Sequence, residues 1–163
     1  MKTLLVSLLL FTASIASAQQ GFDKYTESFR QKLTTDKVAL IGEAMDLTED
    51  ASTTFWPIYR DYTYQLSKLG DRRLALIKDY AAHYTTMTDE KAKSIMKDFF
   101  KNHKDRLDLL NSYYVKFEKA LGAITAARFV QLESQIQTVV DLQLASELPL
   151  IKKADEPKKD EKK

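Results

Sequence analysis

The chain has 163 residues, of which 25 are basic and 23 acidic, so its formal net charge is only +2. A nearly neutral chain gives no electrostatic argument for a nucleic-acid partner. The absence of cysteine excludes disulfides, thiolate metal ligands and a cysteine nucleophile. We therefore expect the protein to be stabilised by packing alone.

The first eighteen residues have the features of a secretory signal peptide. A positive start at Met1-Lys2 precedes an apolar stretch over 4–11, and Ala16-Ser17-Ala18 supplies the small residues of a cleavage site. We predict a signal peptide over 1–18 that is cleaved after Ala18. No later stretch is long and apolar enough to cross a bilayer, so no membrane span is expected in the mature protein.

The mature chain is predicted to be one all-helical domain over 19–151, followed by a solvated charged tail over 152–163. Only 4 glycines and 3 prolines occur in the whole chain, so few residues interrupt helices. Apolar residues recur at helical spacing over 19–45. Thr34-Thr35-Asp36 interrupts this pattern, so the segment is either one helix or two shorter ones.

A second helix is predicted from Glu49 to Ala82, because apolar residues recur there at alternating spacings of four and three. The repeat consists of Phe55, Tyr59, Tyr62, Leu66, Leu69, Leu76 and Tyr80. Pro57 falls within the repeat, and we predict a helix that is kinked at this proline. The alternative is a regular helix that begins at Trp56, with the proline in its first turn.

A third helix is predicted from Asp89 to Leu121. Gly122 should end it, since glycine often follows the last residue of a helix. We expect its buried face to consist of Ala92, Met96, Phe99, His103, Leu107, Leu110, Tyr114, Phe117 and Leu121.

An apolar residue followed by threonine precedes each of the last three helices. Threonine at an N-cap accepts a hydrogen bond from an unpaired backbone N–H, and the apolar residue packs on the first turn. The three pairs are Leu47-Thr48, Met87-Thr88 and Ile124-Thr125. The fourth helix is therefore predicted to start after Thr125 and to stop before Pro149. Ile124 should pack on Phe129 as a hydrophobic staple.

Short links between long helices force neighbours to be antiparallel. The second and third helices then form a hairpin that turns near Thr85-Thr86 and places residue 103 opposite residue 69. No segment alternates like a β-strand. The predicted fold is all-α, a long antiparallel helical hairpin with flanking N- and C-terminal helices.

No catalytic, cofactor or metal site is predicted. His83 and His103 are the two histidines, and they fall about 21 Å apart along the predicted hairpin, too far for one metal ion. No phosphate-binding loop or nucleophile motif occurs. We therefore expect no cofactor and no enzymatic activity, with His103 packed on the apolar face and His83 in solvent.

Two features indicate candidate protein-binding surfaces. Five aromatic residues fall within 55–64, more than one core can face, so Trp56 and Tyr64 are candidates for an exposed interface. Ordinary packing is the alternative. Basic residues beside the apolar face of the third helix are candidates for a second surface, with a solvated face as the alternative. They are Lys93, Lys97, Lys101 and Lys104, together with Arg72 and Arg73 of the second helix.

Two of the apolar–threonine pairs open longer motifs, LTEDA from Leu47 and ITAAR from Ile124. These resemble the paired motifs of the LTXXQ family of bacterial periplasmic proteins, with Ala51 and Arg128 in place of the motif glutamine. The resemblance implies a periplasmic homodimer whose concave side binds unfolded proteins without ATP, as a chaperone or envelope-stress adaptor. The alternatives are a structural or regulatory module that docks on one specific envelope partner, or a metal-linked sensor.

Overall fold

The computed structural model describes residues 35–151. The predicted signal peptide over 1–18, the first part of the first helix over 19–34 and the tail over 152–163 lie outside the described residues. Within 35–151 there are four α-helices and no strand. The predicted all-α fold is therefore confirmed, and none of the described helices is long and apolar enough to span a membrane.

The chain divides into two units, Met1–Asp46 and Leu47–Lys163. In the first unit, residues 35–45 are helical (α1), and Ile41 and Met45 of this helix are buried. Asp46 follows with φ of 47°, the left-handed conformation that commonly ends a helix. Whether α1 is continuous with the residues before Thr35 lies outside the described part of the chain.

Helix α2, Glu49–His83, is 35 residues long and runs through Pro57. Its N-cap is the predicted one, because Thr48 Oγ1 accepts a hydrogen bond from the backbone N–H of Ala51 at 3.3 Å. The alternative of a helix beginning at Trp56 is wrong. Pro57 cannot donate to the carbonyl of the residue four before it, but the proline is exposed, so solvent reaches this position. The kink stays a prediction.

A 3₁₀ turn over Tyr84–Thr86 connects α2 to helix α3, Asp89–Leu121. Thr88 caps α3 as predicted, since its Oγ1 accepts from the N–H of Lys91 at 3.2 Å. The hairpin register is confirmed by Asn102, whose Nδ2 donates to the carbonyl oxygen of Leu69 across the hairpin at 3.0 Å.

Helix α4, Ala123–Glu147, starts earlier than predicted. Gly122 has φ of 86° and ψ of 160°, a backbone conformation restricted almost entirely to glycine, and one residue suffices to end α3 and begin α4. The backbone N–H of Ala126 already bonds to the carbonyl oxygen of Gly122 at 3.1 Å. The predicted Thr125 N-cap is therefore wrong. The predicted staple is wrong too, because Ile124 is 88% exposed.

The apolar core of the second unit lies mainly toward the end of the hairpin away from the turn. There α2, α3 and α4 contribute stacked and edge-on rings, with Phe117 4.8 Å from Phe55 and 4.4 Å from Phe129, measured between ring centroids. Closer to the turn, Leu69 and Ile95 are the buried apolar residues of the described part of α2 and α3. The turn half of the hairpin is thus thinly packed.

Candidate functional site

The buried face of α3 differs from the predicted one. Its buried residues are Ile95, Leu110, Tyr113 and Phe117, of which the sequence analysis expected only Leu110 and Phe117. The expectation is wrong for Met96 and Leu107, which are 38% and 60% exposed. The reason is that Asn102 faces α2 in the turn half of the hairpin, where its amide bonds to the backbone of α2.

Several residues of the predicted buried face form, together with Phe100, a continuous surface on α3, here called the α3 stripe. It consists of the exposed residues Met96, Phe99, Phe100 and Leu107 and the half-buried His103. The ring of Phe99 lies 5.5 Å from that of Phe100 and 4.1 Å from that of His103. His103 Nδ1 is 3.0 Å from the carbonyl oxygen of Phe99, which holds the imidazole along the helix. His103 therefore packs within an apolar face as predicted, but that face is open to solvent.

The four predicted lysines lie along one flank of the α3 stripe. All of Lys93, Lys97, Lys101 and Lys104 are exposed, and at 3.6 residues per turn they follow Phe100 around the helix. Lys101 Nζ bonds to Asp105 Oδ2 at 2.8 Å, and Lys104 pairs with Asp108. Lys93 and Lys97 make no ion pair with any described residue. We call these four residues the lysine flank.

The two predicted arginines form ion pairs with different helices. Arg72 Nη1 lies 2.9 Å from Asp105 Oδ2 on α3, whereas Arg73 Nη1 lies 2.6 Å from Asp141 Oδ1 on α4. Asp105 therefore joins Lys101 to Arg72. The hydrogen bond from Lys101 and its charge, and next the charge of Arg72, hold the pKa of the Asp105 carboxyl below its usual value. The structure brings Arg72 next to the lysine flank and directs Arg73 toward α4.

The aromatic segment over 55–64 is divided between core and surface. Trp56 is half-buried at the core edge, with its ring 5.3 Å from Phe55 and 5.6 Å from Tyr59 in edge-on contacts. Tyr64 is mostly exposed, and the ammonium of Lys68 lies 4.2 Å above its ring. Ordinary packing thus accounts for most of the segment, and Tyr64 alone presents an aromatic face to solvent.

Glu133 was not predicted as a site residue, yet it is the one buried charged residue among the described residues, at 4% exposed. Tyr59 and Tyr62 of α2 each donate a phenol hydrogen bond to its carboxylate, at 3.2 and 2.9 Å. Burial, and next the charge of Glu133, raise the pKa of both tyrosines far above the usual value. The sequence feature that could have indicated its burial is its position in an otherwise apolar repeat, four residues after Phe129 and seven before Val140.

The remaining predicted residues are structural. Leu47 and Met87 are half-buried beside the two confirmed caps. His83 lies near the turn as expected, with Nδ1 3.1 Å from Asp79 Oδ1. Within residues 35–151 no cluster of three or more histidine and acidic side chains is arranged to hold a metal ion.

Comparisons of the chain with models of protein families, with curated proteins and with solved structures find no match. In the chain's own geometry, the α3 stripe and its lysine flank form one exposed surface that is both apolar and basic.

Proposed function

We propose that the protein is a periplasmic helical protein that binds other proteins without ATP, in a chaperone-like or envelope-stress role. The observation that carries the proposal is the α3 stripe, where Phe100 remains 65% exposed beside other apolar side chains over three helical turns. Contiguous exposed apolar surface is typical of interaction sites. The resemblance of the LTEDA and ITAAR motifs to the LTXXQ family supports the same role.

The α3 stripe suits weak capture of unfolded chains. Burying one leucine or phenylalanine contributes about 1.5–3 kcal/mol, so a few such contacts give binding that is reversible without an energy source. Lysines beside the stripe keep the surface soluble and attract acidic segments of a client. We also propose, from the family resemblance, that the protein is a homodimer, and we assign no enzymatic role to it.

An aggregation assay tests this function. Two unrelated proteins are diluted from denaturant with and without the mature chain, in the absence of ATP, and light scattering is recorded. We expect suppression of both at near-stoichiometric ratios. The double variant Phe100→Ser, Leu107→Ser should lose most of this effect. Suppression of neither protein by the wild-type chain would contradict the proposal.

A matched control separates the α3 stripe from exposed apolar residues in general. Val139 and Leu142 on α4 are 66% and 72% exposed, so Val139→Ser with Leu142→Ser removes comparable apolar surface. We expect this variant to keep wild-type activity. Equal loss in both double variants would show that the α3 stripe has no special role.

A second candidate is a module that docks on one envelope partner through Tyr64. The favouring observation is the exposed ring of Tyr64 with Lys68 above it. In that case Tyr64→Ala should abolish co-purification of a single protein and leave the aggregation assay unchanged.

A further inference from the structure

The spacing of the α3 stripe indicates the shape of what it binds. Met96, Phe100, His103 and Leu107 follow one another at intervals of four, three and four residues. This is the spacing at which a helix packs lengthwise against a second helix. The four positions extend over about 16 Å, or three turns. An extended chain has no such match to the stripe, whereas one amphipathic helix does.

The lysine flank indicates the charge of the bound helix. All four lysines lie on the same side of the stripe, and Lys93 and Lys97 have no anionic partner among the described residues. The opposite side of α3 is occupied by α2, which Asn102 contacts. A helix in the stripe therefore has one free flank. Lys101 and Lys104 on this flank are paired with acids of α3. Lys93 and Lys97 supply the positive charge that no described residue pairs.

A second copy of α3 fits this surface poorly. A two-fold axis that pairs two antiparallel α3 helices brings the same flank of each helix together, so the lysine flanks repel. In a parallel pair, the lysine flank of each copy faces the other flank of its partner's α3, and that flank is already occupied by the partner's α2. Charge complementarity instead requires acidic residues on the flank of the bound helix.

We propose that the α3 stripe binds one amphipathic helix that carries aspartate or glutamate along the flank facing Lys93 and Lys97. The inference rests on the proposed function and specifies its ligand. The apolar face of the bound helix covers Phe100 and Leu107, and its acids form the ion pairs that these two lysines lack within the described chain.

Because isolated helices of up to about 12–15 residues are only marginally stable in water, three labelled peptides of about 25 residues test the proposal by fluorescence anisotropy. Two share an apolar face and differ only in a glutamate or a lysine flank, and the third is the glutamate peptide with a central proline. We expect the glutamate peptide to bind at least tenfold more tightly than either other peptide at low salt. The advantage over the lysine peptide should shrink as salt screens the charges.

Charge reversal on the protein gives the reciprocal test. Lys93→Glu with Lys97→Glu should reverse the preference between the two charged peptides. The control Lys119→Glu changes an exposed lysine of the same helix away from the stripe and should leave the preference unchanged. Leu107→Ser should weaken the binding of the glutamate peptide. Thermal melts followed by circular dichroism check that each variant is folded.

The results distinguish a failure of this inference from a failure of the proposed chaperone function. If aggregation is suppressed but the two charged peptides bind equally, the acidic ligand is wrong and the chaperone role stands. Equal binding of the proline peptide would show that the ligand is an extended chain. A dimer in sedimentation that Leu107→Ser dissociates would show that a second copy occupies the stripe, and would overturn the inference.

Discussion

Glu133 attaches α4 to α2, because both oxygens of its carboxylate accept hydrogen bonds from buried phenols. Replacement of Glu133 by alanine removes the carboxylate that accepts from Tyr59 and Tyr62, in a site where all three side chains are buried. We expect Glu133→Ala to lower the free energy of unfolding by about 2–4 kcal/mol. Glu133→Gln keeps one acceptor oxygen and should cost less. Urea denaturation measures both, and equal stability of Glu133→Ala and wild type would contradict this role.

The same tyrosines should make the protein sensitive to alkaline pH. Their pKa values are raised in the folded state above the ordinary value of 10.0, first by burial and then by Glu133. The folded protein therefore holds these protons more tightly than the unfolded chain, and stability is complete below pH 10 and falls as the pH rises above it. We expect tyrosinate absorbance from Tyr59 and Tyr62 to appear only with unfolding. Their ionisation near pH 10 in the folded protein would contradict the buried site.

Two threonines that look alike in sequence should differ in their effect on stability. Thr88 caps α3, so Thr88→Ala should cost about 1 kcal/mol. Thr125 lies in the first turn of α4, after the helix has begun at Ala123, so Thr125→Ala should be nearly neutral. Thermal or urea unfolding of the two variants measures the difference. A larger loss in Thr125→Ala would contradict the start of α4 at Ala123.

At the scale of elements, α4 is attached unevenly along its length. Its buried residues, Ala126, Phe129 and Glu133, all lie in its first half. The second half is held to α2 by the Arg73–Asp141 ion pair. Just beyond the end of α4, the carbonyl oxygen of Pro149 accepts a hydrogen bond from the phenol of Tyr80. Few buried contacts mean a low free energy of local opening.

Hydrogen exchange tests this difference within one helix. We expect the amides of residues 137–147 to exchange much faster than those of 126–133, and Asp141→Asn to increase exchange in the second half only. Loss of protection in both halves together would show instead that α4 opens as one cooperative unit.

The sequence predicted those elements that depend on local chemistry. Thr48 and Thr88 were identifiable because a cap needs only its own turn, and Gly122 because glycine commonly follows the last residue of a helix. The start of α4 was missed because the φ of Gly122 allowed the next helix to begin at once.

The exposed face of α3 was not predictable from periodicity. The repeat through Met96, Phe99, Leu107 and Leu110 is the strongest apolar pattern in the helix, yet its turn-side half faces solvent. There Ile95 is the buried residue of α3, and the half-buried Asn102 reaches the backbone of α2 with its amide. A spacing rule assigns an apolar stripe to a core, whereas tertiary contacts decide whether a core covers it.

At the scale of the whole molecule, the described hairpin combines a ring-rich core at one end with an exposed apolar stripe beside the thinly packed turn end. This separation allows the stripe to be altered with little loss of stability, since Phe100 and Leu107 are outside the core. We expect Phe100→Ser to change the free energy of unfolding by less than about 0.5 kcal/mol. A larger loss, measured by urea denaturation, would mean that the stripe is part of the core.

Photocrosslinking from Phe100 tests directly whether the α3 stripe is the surface that binds unfolded protein. With benzoylphenylalanine in place of Phe100, or of Val139 as the matched exposed control, the mature chain is mixed with a denatured client, irradiated and analysed by mass spectrometry. We expect strong crosslinks from position 100 and few from position 139, and none from either position when the client is added in its folded state. Equal crosslinking from both positions, or from neither, would contradict the assignment of the α3 stripe as the protein-binding surface.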